Sequence, residues 1–389
     1  MQPRFRQLQG WAAGLCLAAL SLASPAVAQR PLGPTFPINA PSAALVELSS
    51  LAMNARGDFV VTWVRLPAHT GEVLELRARR FAADGTPETG EITVVDNPEP
   101  GLETSQVAVR DDGSFVVVLR RFPELVARRF GADGSFAGET VVAMSTEGRF
   151  FGLALLPHGG FVLTWVTANF SYARIFDADG EPAGPVRRVG AGGPPAVAAE
   201  PDGGFVVAWI AARPDRDPSF NDPYLVARRF DAGGARVGGP IVVQEPLPSG
   251  IISRLEIASD EAGAFLVLWQ GTIGTGPRAD GIYARRLDAD GNPLTGLLRL
   301  EGGNALSPKL AMDRDGDFVV AWLQLGAGPN GQTGAFAQRF TADGAPFRPA
   351  FRMDTAGSSE PLVASDARGN FVVVGAVPRQ IFGRRYRPR

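Results

Sequence analysis

The sequence predicts an all-β chain, a seven-bladed β-propeller with four antiparallel strands per blade and a ring closed by an N-terminal strand. Three observations predict it: two short signatures alternate along the chain, each has the two-residue period of an extended strand, and the last repeat ends one strand short. The first signature is Gly-x-Phe-Val-Val-x-Trp with variants, its Phe-to-Trp core at residues 59–63, 115–119, 161–165, 205–209, 265–269, 318–322 and 371–375. The second, Ala-Arg-Arg-Phe running into Asp-Gly with variants, occupies 78–85, 127–134, 173–180, 227–234, 284–291 and 337–344, and a shortened copy, Gly383-Arg384-Arg385-Tyr386, ends the chain. From Phe59 to Phe371 six intervals span 312 residues, 52 per repeat, close to the spacing of propeller blades with some loop insertion.

Each repeat supplies four strands. Phe59, Val61 and Trp63 fall at i, i+2 and i+4 and share one face of a strand, while valine at most of the other positions predicts burial on both faces. Residues 78–81 alternate again, and Ala82-Ala83-Asp84-Gly85 is a hairpin turn in which glycine takes positive φ. Residues 91–95 form a fourth strand. A short first strand at 51–53 precedes the signature and ends at residues 54–57.

The seventh repeat stops at Arg389, after its third strand. Residues 33–38, Gly-Pro-Thr-Phe-Pro-Ile, resemble the entry to a fourth strand at 239–243, Gly-Pro-Ile-Val-Val, and are expected to supply the missing one. Such a strand covers an edge that would otherwise stay unpaired. The alternative is a proline-rich tail.

Arg4 and Arg6, an apolar run at 15–22 and Ala26-Val27-Ala28 before Gln29 have the layout of a cleaved secretory signal. The expected organisation is a signal peptide at 1–28, an N-terminal segment with the closing strand at 29–42, and the propeller at 43–389. Localisation is then secreted or periplasmic. The run is too short to span a bilayer, and no later segment is apolar for about 20 residues, so no membrane span is expected. Cys16, the one cysteine, lies inside the signal, which leaves the mature chain without disulfides or thiolate chemistry. The net charge of −2 becomes −4 once Arg4 and Arg6 are gone, giving no electrostatic basis for nucleic-acid binding. Lys309 is the sole lysine; the other cations are arginines. The mature protein is expected to be a monomer.

Residues 318–322, Phe-Val-Val-Ala-Trp, followed by Phe336-Ala337-Gln338-Arg339-Phe340 and then Asp343-Gly344, resemble repeats of large bacterial secreted and surface proteins that often accompany calcium-binding repeat arrays. The resemblance covers nearly the whole mature chain. It implies an exported, propeller-like module and brings no family-wide active site. This chain has no Gly-Gly-x-Gly-x-Asp array, so adhesion and calcium dependence do not follow from it.

Catalytic candidates are few. His69 and His158, the two histidines, sit in unrelated loops without a motif and read as solvated. Most aspartates recur at turns, where the side chain bonds its own backbone. Asp313, Asp315 and Asp317, alternate carboxylates around Gly316, resemble the start of a calcium loop but lack its remaining ligands; calcium is the one cofactor they suggest, against a plain acidic turn. The paired arginines recur in almost every repeat, which favours a structural role, one guanidinium stacking on an aromatic or pairing with a neighbouring blade and the other pointing oppositely.

Loops between the second and third strands are short in repeats two, three and seven but long at 65–73, 211–223, 270–281 and 324–334. Repeats four to six are consecutive, so their insertions should form one raised arc that holds Arg213, Asp215, Arg216, Asp217, Phe220, Tyr224, Arg278, Asp280 and Gln332 as candidate ligand-binding residues. The sequence thus points to a non-catalytic binding or structural module for a carbohydrate, a protein or a cell-envelope component. The alternative is a hydrolase or lyase acting on a polysaccharide or other polymer through carboxylate, Arg or Tyr groups near the ring centre.

Overall fold

A computed structural model describes residues 29–67, 73–96, 105–121, 123–144, 151–211, 224–245, 250–274, 279–326, 334–353 and 360–388. The described chain is all β. A short strand, β1 (Phe36–Pro37), is followed by the first repeat, β2 (Leu45–Met53), β3 (Phe59–Leu66), β4 (Glu75–Phe81) and β5 (Ile92–Asp96). The second repeat is β6 (Ser105–Val109), β7 (Phe115–Arg121), β8 (Glu124–Phe130) and β9 (Phe136–Met144). The third comprises β10 (Phe151–Leu155), β11 (Phe161–Thr167), β12 (Phe170–Phe176) and β13 (Arg187–Ala199), and the fourth continues from β13 into β14 (Phe205–Ala211), β15 (Tyr224–Phe230) and β16 (Arg236–Gln244). In the fifth are β17 (Ile251–Ser259), β18 (Phe265–Thr272), β19 (Asp280–Leu287) and β20 (Leu298–Gly302). The sixth holds β21 (Ala305–Met312), β22 (Phe318–Gln324), β23 (Gly334–Phe340) and β24 (Phe351–Arg352), and the seventh β25 (Leu362–Ser365), β26 (Phe371–Val377) and β27 (Gln380–Tyr386).

Each repeat is an antiparallel sheet in chain order, with two departures. One is β13, which pairs with β12 through its first half and with β14 through its second, so the third and fourth sheets are joined by one unbroken strand. The other is the seventh sheet, whose fourth strand is β1: Phe36 lies opposite Gly383 and Pro37 opposite Phe382. The segment expected from sequence to pair there does so.

Cross-strand register explains why the two signatures travel together. The Phe that opens the second strand lies opposite the Phe that closes the third, and their rings stack with centroids 4.9 Å apart in Phe59–Phe81, Phe115–Phe130, Phe161–Phe176 and Phe205–Phe230. The fifth sheet uses Phe265 and Leu287 instead, and the seventh Phe371 and Tyr386. Second strands are buried on both faces, as in Phe59–Leu66, because each is the middle of a sheet packed between two others. The first strand is longer than the sequence pattern suggests, β2 starting at Leu45 rather than at residue 51.

Among the described residues seven apolar clusters each join two sheets. The cluster of Val60, Leu76 and Val94 meets Val107, Phe115 and Val117 of the second sheet. Equivalent clusters link the following pairs in turn. The last of them joins Trp63, Phe59 and Val61 of the first sheet to Val372, Val374 and Ile381 of the seventh, with Ile38 between. No helix among the described residues is long and apolar enough to cross a membrane.

Candidate functional site

The first strand of each sheet ends in a tight turn to the second. In all seven the turn is closed the same way, with the starting residue (Asn54, Arg110, Leu156, Glu200, Asp260, Asp313 or Asp366) bonding its backbone to residues three and four further on. A glycine at positive φ completes the turn, Gly57 at 98° and Gly316 at 83° for example, where any L side chain would be strained. The turns of six sheets converge on a cavity of about 300 Å³ lined by Asn54, Glu200, Asp260, Asp313 and Asp366 among others. Neighbouring turns touch directly: Glu261 N donates to Arg314 O at 3.0 Å and Ala367 N to Ala55 O at 3.4 Å, the second contact joining the seventh sheet to the first.

These carboxylates are committed to structure. Asp260 Oδ1 accepts from the backbone N–H of Ala262 and Ala264, both at 2.9 Å, and Asp366 Oδ1 from those of Arg368 and Asn370, also at 2.9 Å. Arginines from the third strand of the same sheet hold the rest: Arg229 with Glu200 at 2.8 Å, Arg286 with Asp260, and Arg339 with Asp313 at 3.0 Å. Burial pushes the carboxyls of Glu200 and Asp313 above the ordinary range, with the paired arginine opposing it in each case. Arg339 also reaches Asp317 at 3.1 Å, so the cluster that reads as the start of a calcium loop holds a guanidinium between two of its carboxylates, and the Asp315 side chain is 78% exposed. No group of three His, Cys, Asp or Glu residues placed for a metal occurs among the described residues.

The arginine pairs divide their work as alternation demands. The second arginine serves its own turn in sheets one, four, five and six, through Asp58, Glu200, Asp260 and Asp313, and Arg80 Nη1 also reaches Ala132 O of the next sheet at 3.0 Å. The first lies over an aromatic ring, Arg79 5.5 Å from the centre of Phe81, Arg128 over Phe136 and Arg228 over Trp209, and in several sheets crosses to the previous one, as Arg79 Nη1 does in donating to Ile38 O at 3.0 Å. The pairs fasten sheet to sheet.

The opposite halves of the inner strands differ from one another. Bulges interrupt β2, β13, β17 and β21, and in two of them a residue other than glycine takes a left-handed conformation, Arg254 at φ 50° and Ser307 at 52°. Arg254 and Ser307 occupy equivalent bulges in sheets five and six, and Glu360, a further 53 residues on, lies just before β25 of the seventh sheet. Ser307 Oγ donates to Glu360 Oε1 at 2.5 Å, and Arg254 Nη2 lies 3.5 Å from the same oxygen. Two positions further along, Lys309 Nζ meets Glu256 Oε1 at 2.6 Å across sheets five and six, both side chains about a third exposed. Glu256, Lys309, Arg254 and Glu360 are the charged groups that sequence reasoning missed; the uniqueness of Lys309 was the available signal.

Of the residues expected from sequence to bind a ligand, Tyr224 opens β15 and Asp280 opens β19, at equivalent ends of adjacent sheets. Thr272 Oγ1 donates to Asp280 Oδ1 at 2.5 Å. Arg213, Asp215, Arg216, Asp217, Phe220, Arg278 and Gln332 lie outside the described residues, as does His69. His158 is exposed in the turn that follows Leu156. The strand bounds reproduce the expected contrast in loops: two residues separate β7 from β8, β11 from β12 and β26 from β27, against twelve between β14 and β15.

The turn aspartates give a pH expectation. Hydrogen bonds from Thr86, Ser135, Asn292 and Thr341 hold Asp84, Asp133, Asp288 and Asp343 below the ordinary carboxylate range. Their contribution to stability is present above the unfolded value near pH 3.9 and is lost as pH falls through the depressed folded values. Glu200 and Asp313 act in the opposite sense, their cost disappearing as they take up protons. Replacing Asp133, Asp288 and Asp343 together by Asn, which keeps an acceptor and removes the titration, should flatten the acid limb of a melting-temperature profile between about pH 2 and 4. An unchanged limb would show that these turns do not set it.

No family model and no curated protein sequence matches the chain. Solved structures do. A protein of unknown function from Dyadobacter fermentans superposes with a TM-score of 0.55 at 15% identity, covering 92% of this chain and 99% of that one. The polysaccharide lyase Uly1 superposes with a TM-score of 0.57 at 9% identity, over 92% and 100%. The WD40 domain of Pan2 from Neurospora crassa gives 0.52 at 8%, over 88% and 90%. At such identities the likeness concerns the fold alone, and with the stacked four-stranded sheets it makes this chain an all-β protein of propeller type.

Proposed function

We propose that the seven sheets form one closed propeller, exported by way of its N-terminal signal, which acts as a non-catalytic binding module. The observation that carries the binding reading is the pair of left-handed, non-glycine bulges at Arg254 and Ser307, on the half of the inner strands where the second-to-third-strand loops emerge. Backbone strain of this kind persists where surrounding structure holds it, and it gathers at ligand sites. Here it brings Arg254, Ser307 and Glu360 together, with Glu256 and Lys309 two positions further along, toward the strand ends that carry the expected arc of insertions in repeats four to six. The ligand is a carbohydrate, a protein or a cell-envelope component, met by that arc and the polar groups beneath it.

The test uses arrayed plant, algal and bacterial polysaccharides with purified peptidoglycan and lipopolysaccharide. Replacing residues 211–223 by the two-residue turn of the third repeat, Ala168-Asn169, should abolish at least one binding signal and leave the melting temperature nearly unchanged. Undiminished binding to every component recognised by the parent would remove the arc as the site.

A second reading, a hydrolase or lyase of polysaccharides, is favoured by one observation, the approach of Lys309 to Glu256 on adjacent inner strands with Glu360 nearby. An amine and two carboxylates in reach of solvent are sufficient groups for proton transfer. New reducing ends or ultraviolet-absorbing unsaturated products, lost in Lys309→Ala, would establish this reading over the first.

A further inference from the structure

The repeats provide an internal standard for each junction between sheets. In sheets one, two, four and five the first arginine of the pair donates to a carbonyl in, or directly after, the last strand of the preceding sheet: Arg79 to Ile38 at 3.0 Å, Arg128 to Val94, Arg228 to Val189 at 2.8 Å and Arg285 to Val243 at 2.6 Å. Val94, Val189 and Val243 each stand at a register shift, the place where a carbonyl falls out of the ladder and needs a donor. The third sheet has the matching arginine, Arg174, and the second sheet the matching residue, Val142, buried at the register shift between Ala143 and Val141. The bond between them is not made. Arg174 Nε donates to Gly184 O at 3.1 Å, as Arg79 Nε does to Thr89 O, but its two terminal nitrogens have no hydrogen-bond partner among the described residues.

The junction is open where that bond would lie. A groove of about 380 Å³ runs between the second and third sheets, lined by Val141, Val142, Trp165, Tyr172, Arg174 and Val186. Trp165 and Tyr172 stack, centroids 5.9 Å apart and planes at 21°, as floor and wall. Val141 and Val186, 45% and 47% exposed, form an apolar rim in contact with solvent. No carboxylate lines the groove. The nearest acid on the last strand of the second sheet, Glu139, is held by Arg121 at 2.9 Å and Arg128 at 3.1 Å.

The geometry points to this groove as a binding site for an acidic sugar, a uronate residue within a glycan. Its volume falls in the range of about 300–1,000 Å³ found for small-molecule sites. The unengaged guanidinium fork matches a carboxylate with two parallel bonds. The apolar face of a pyranose ring packs on half-buried Tyr172, with the buried Trp165 indole stacked behind it. The site deepens the binding reading by naming a ligand class, but it lies away from the loop arc and stands or falls separately.

The probes are oligosaccharides of galacturonate, glucuronate, mannuronate and guluronate, three to five sugars long, with their methyl esters as uncharged controls. Calorimetry and tryptophan fluorescence on the mature protein should detect at least one acidic oligomer. Binding should weaken about 10- to 100-fold on esterification and by a similar factor in Arg174→Met, the loss expected of a charge-assisted pair. Arg174→Lys should recover part of it, and Tyr172→Ala should weaken binding with Arg174 intact; melting temperatures certify that each variant is folded. The variant lacking residues 211–223 should keep uronate binding. The proposal is overturned if no acidic oligomer binds, if Arg174→Met binds as the parent does, or if the loop replacement alone abolishes uronate binding.

Discussion

A chain lacking residues 31–40 is expected to melt about 10 °C or more below the protein of residues 29–389. Those residues hold β1, whose Phe36 packs 6.1 Å from Phe59 and 5.9 Å from Phe81, and Ile38, which is wholly buried between the first and seventh sheets. Truncating a large buried apolar side chain such as Ile38 costs about 2–5 kcal/mol, and losing half-buried Phe36 as well makes the loss a large share of the whole stability of an ordinary domain, about 5–15 kcal/mol. Hydrogen bonds go with them. Ile381 N donates to Asn39 Oδ1 at 2.7 Å, Ile38 N to Ile381 O at 2.9 Å and Arg79 Nη1 to Ile38 O at 3.0 Å. The deletion exposes the edge of β27 and the apolar wall of the first sheet together. An unchanged melting temperature would show that the N-terminal segment contributes nothing to the fold.

Trp209→Ala should destabilise the protein by roughly 3–5 kcal/mol, measured by denaturant unfolding. The indole is 4% exposed and packs among Val189, Val197 and Phe230, and its Nε1 donates to Ala191 O at 3.0 Å. It fits because position 190 is glycine: a Cβ there would come within 2.5 Å of the indole. Gly190→Ala should therefore destabilise too, and less so in the Trp209→Ala background, where the clash is gone. A loss below about 1 kcal/mol for Trp209→Ala would mean that the face of the second strand is not a core face.

Much of this fold can be read from the sequence because the repeats expose it. Phe59 and Phe81 recur together, and the structure shows them to be one cross-strand stack. The Asp-Gly turns recur for the backbone reason expected of them. What repetition hides is the exception. β13 holds Gly190, Gly192, Gly193, Pro194 and Pro195, poor strand formers, yet neighbours on both sides keep it extended, and Gly190 serves the Trp209 indole. The polar cluster on the inner strands escapes notice because Arg254, Ser307 and Glu360 share no residue type; only their common offset of 53 places them side by side. The groove at Arg174 escapes for the opposite reason. Its arginine is present in sequence, and the missing bond is visible only in three dimensions. Seven of the nine residues expected to bind ligand lie outside the described residues, in insertions that share no motif between repeats.

The central claim is that one ring is closed by pairing the first strand with the last. Residues 29–389 hold no cysteine, so in a protein of those residues Pro37→Cys with Phe382→Cys provides a clean probe of residues that face each other in register. In the folded protein under mild oxidation this pair should form an intramolecular disulfide, seen as a faster band on a non-reducing gel, and stabilise the chain by roughly 2–4 kcal/mol. Two thiols that stay reactive in the native protein, with mobility and stability unchanged, would contradict the closed ring.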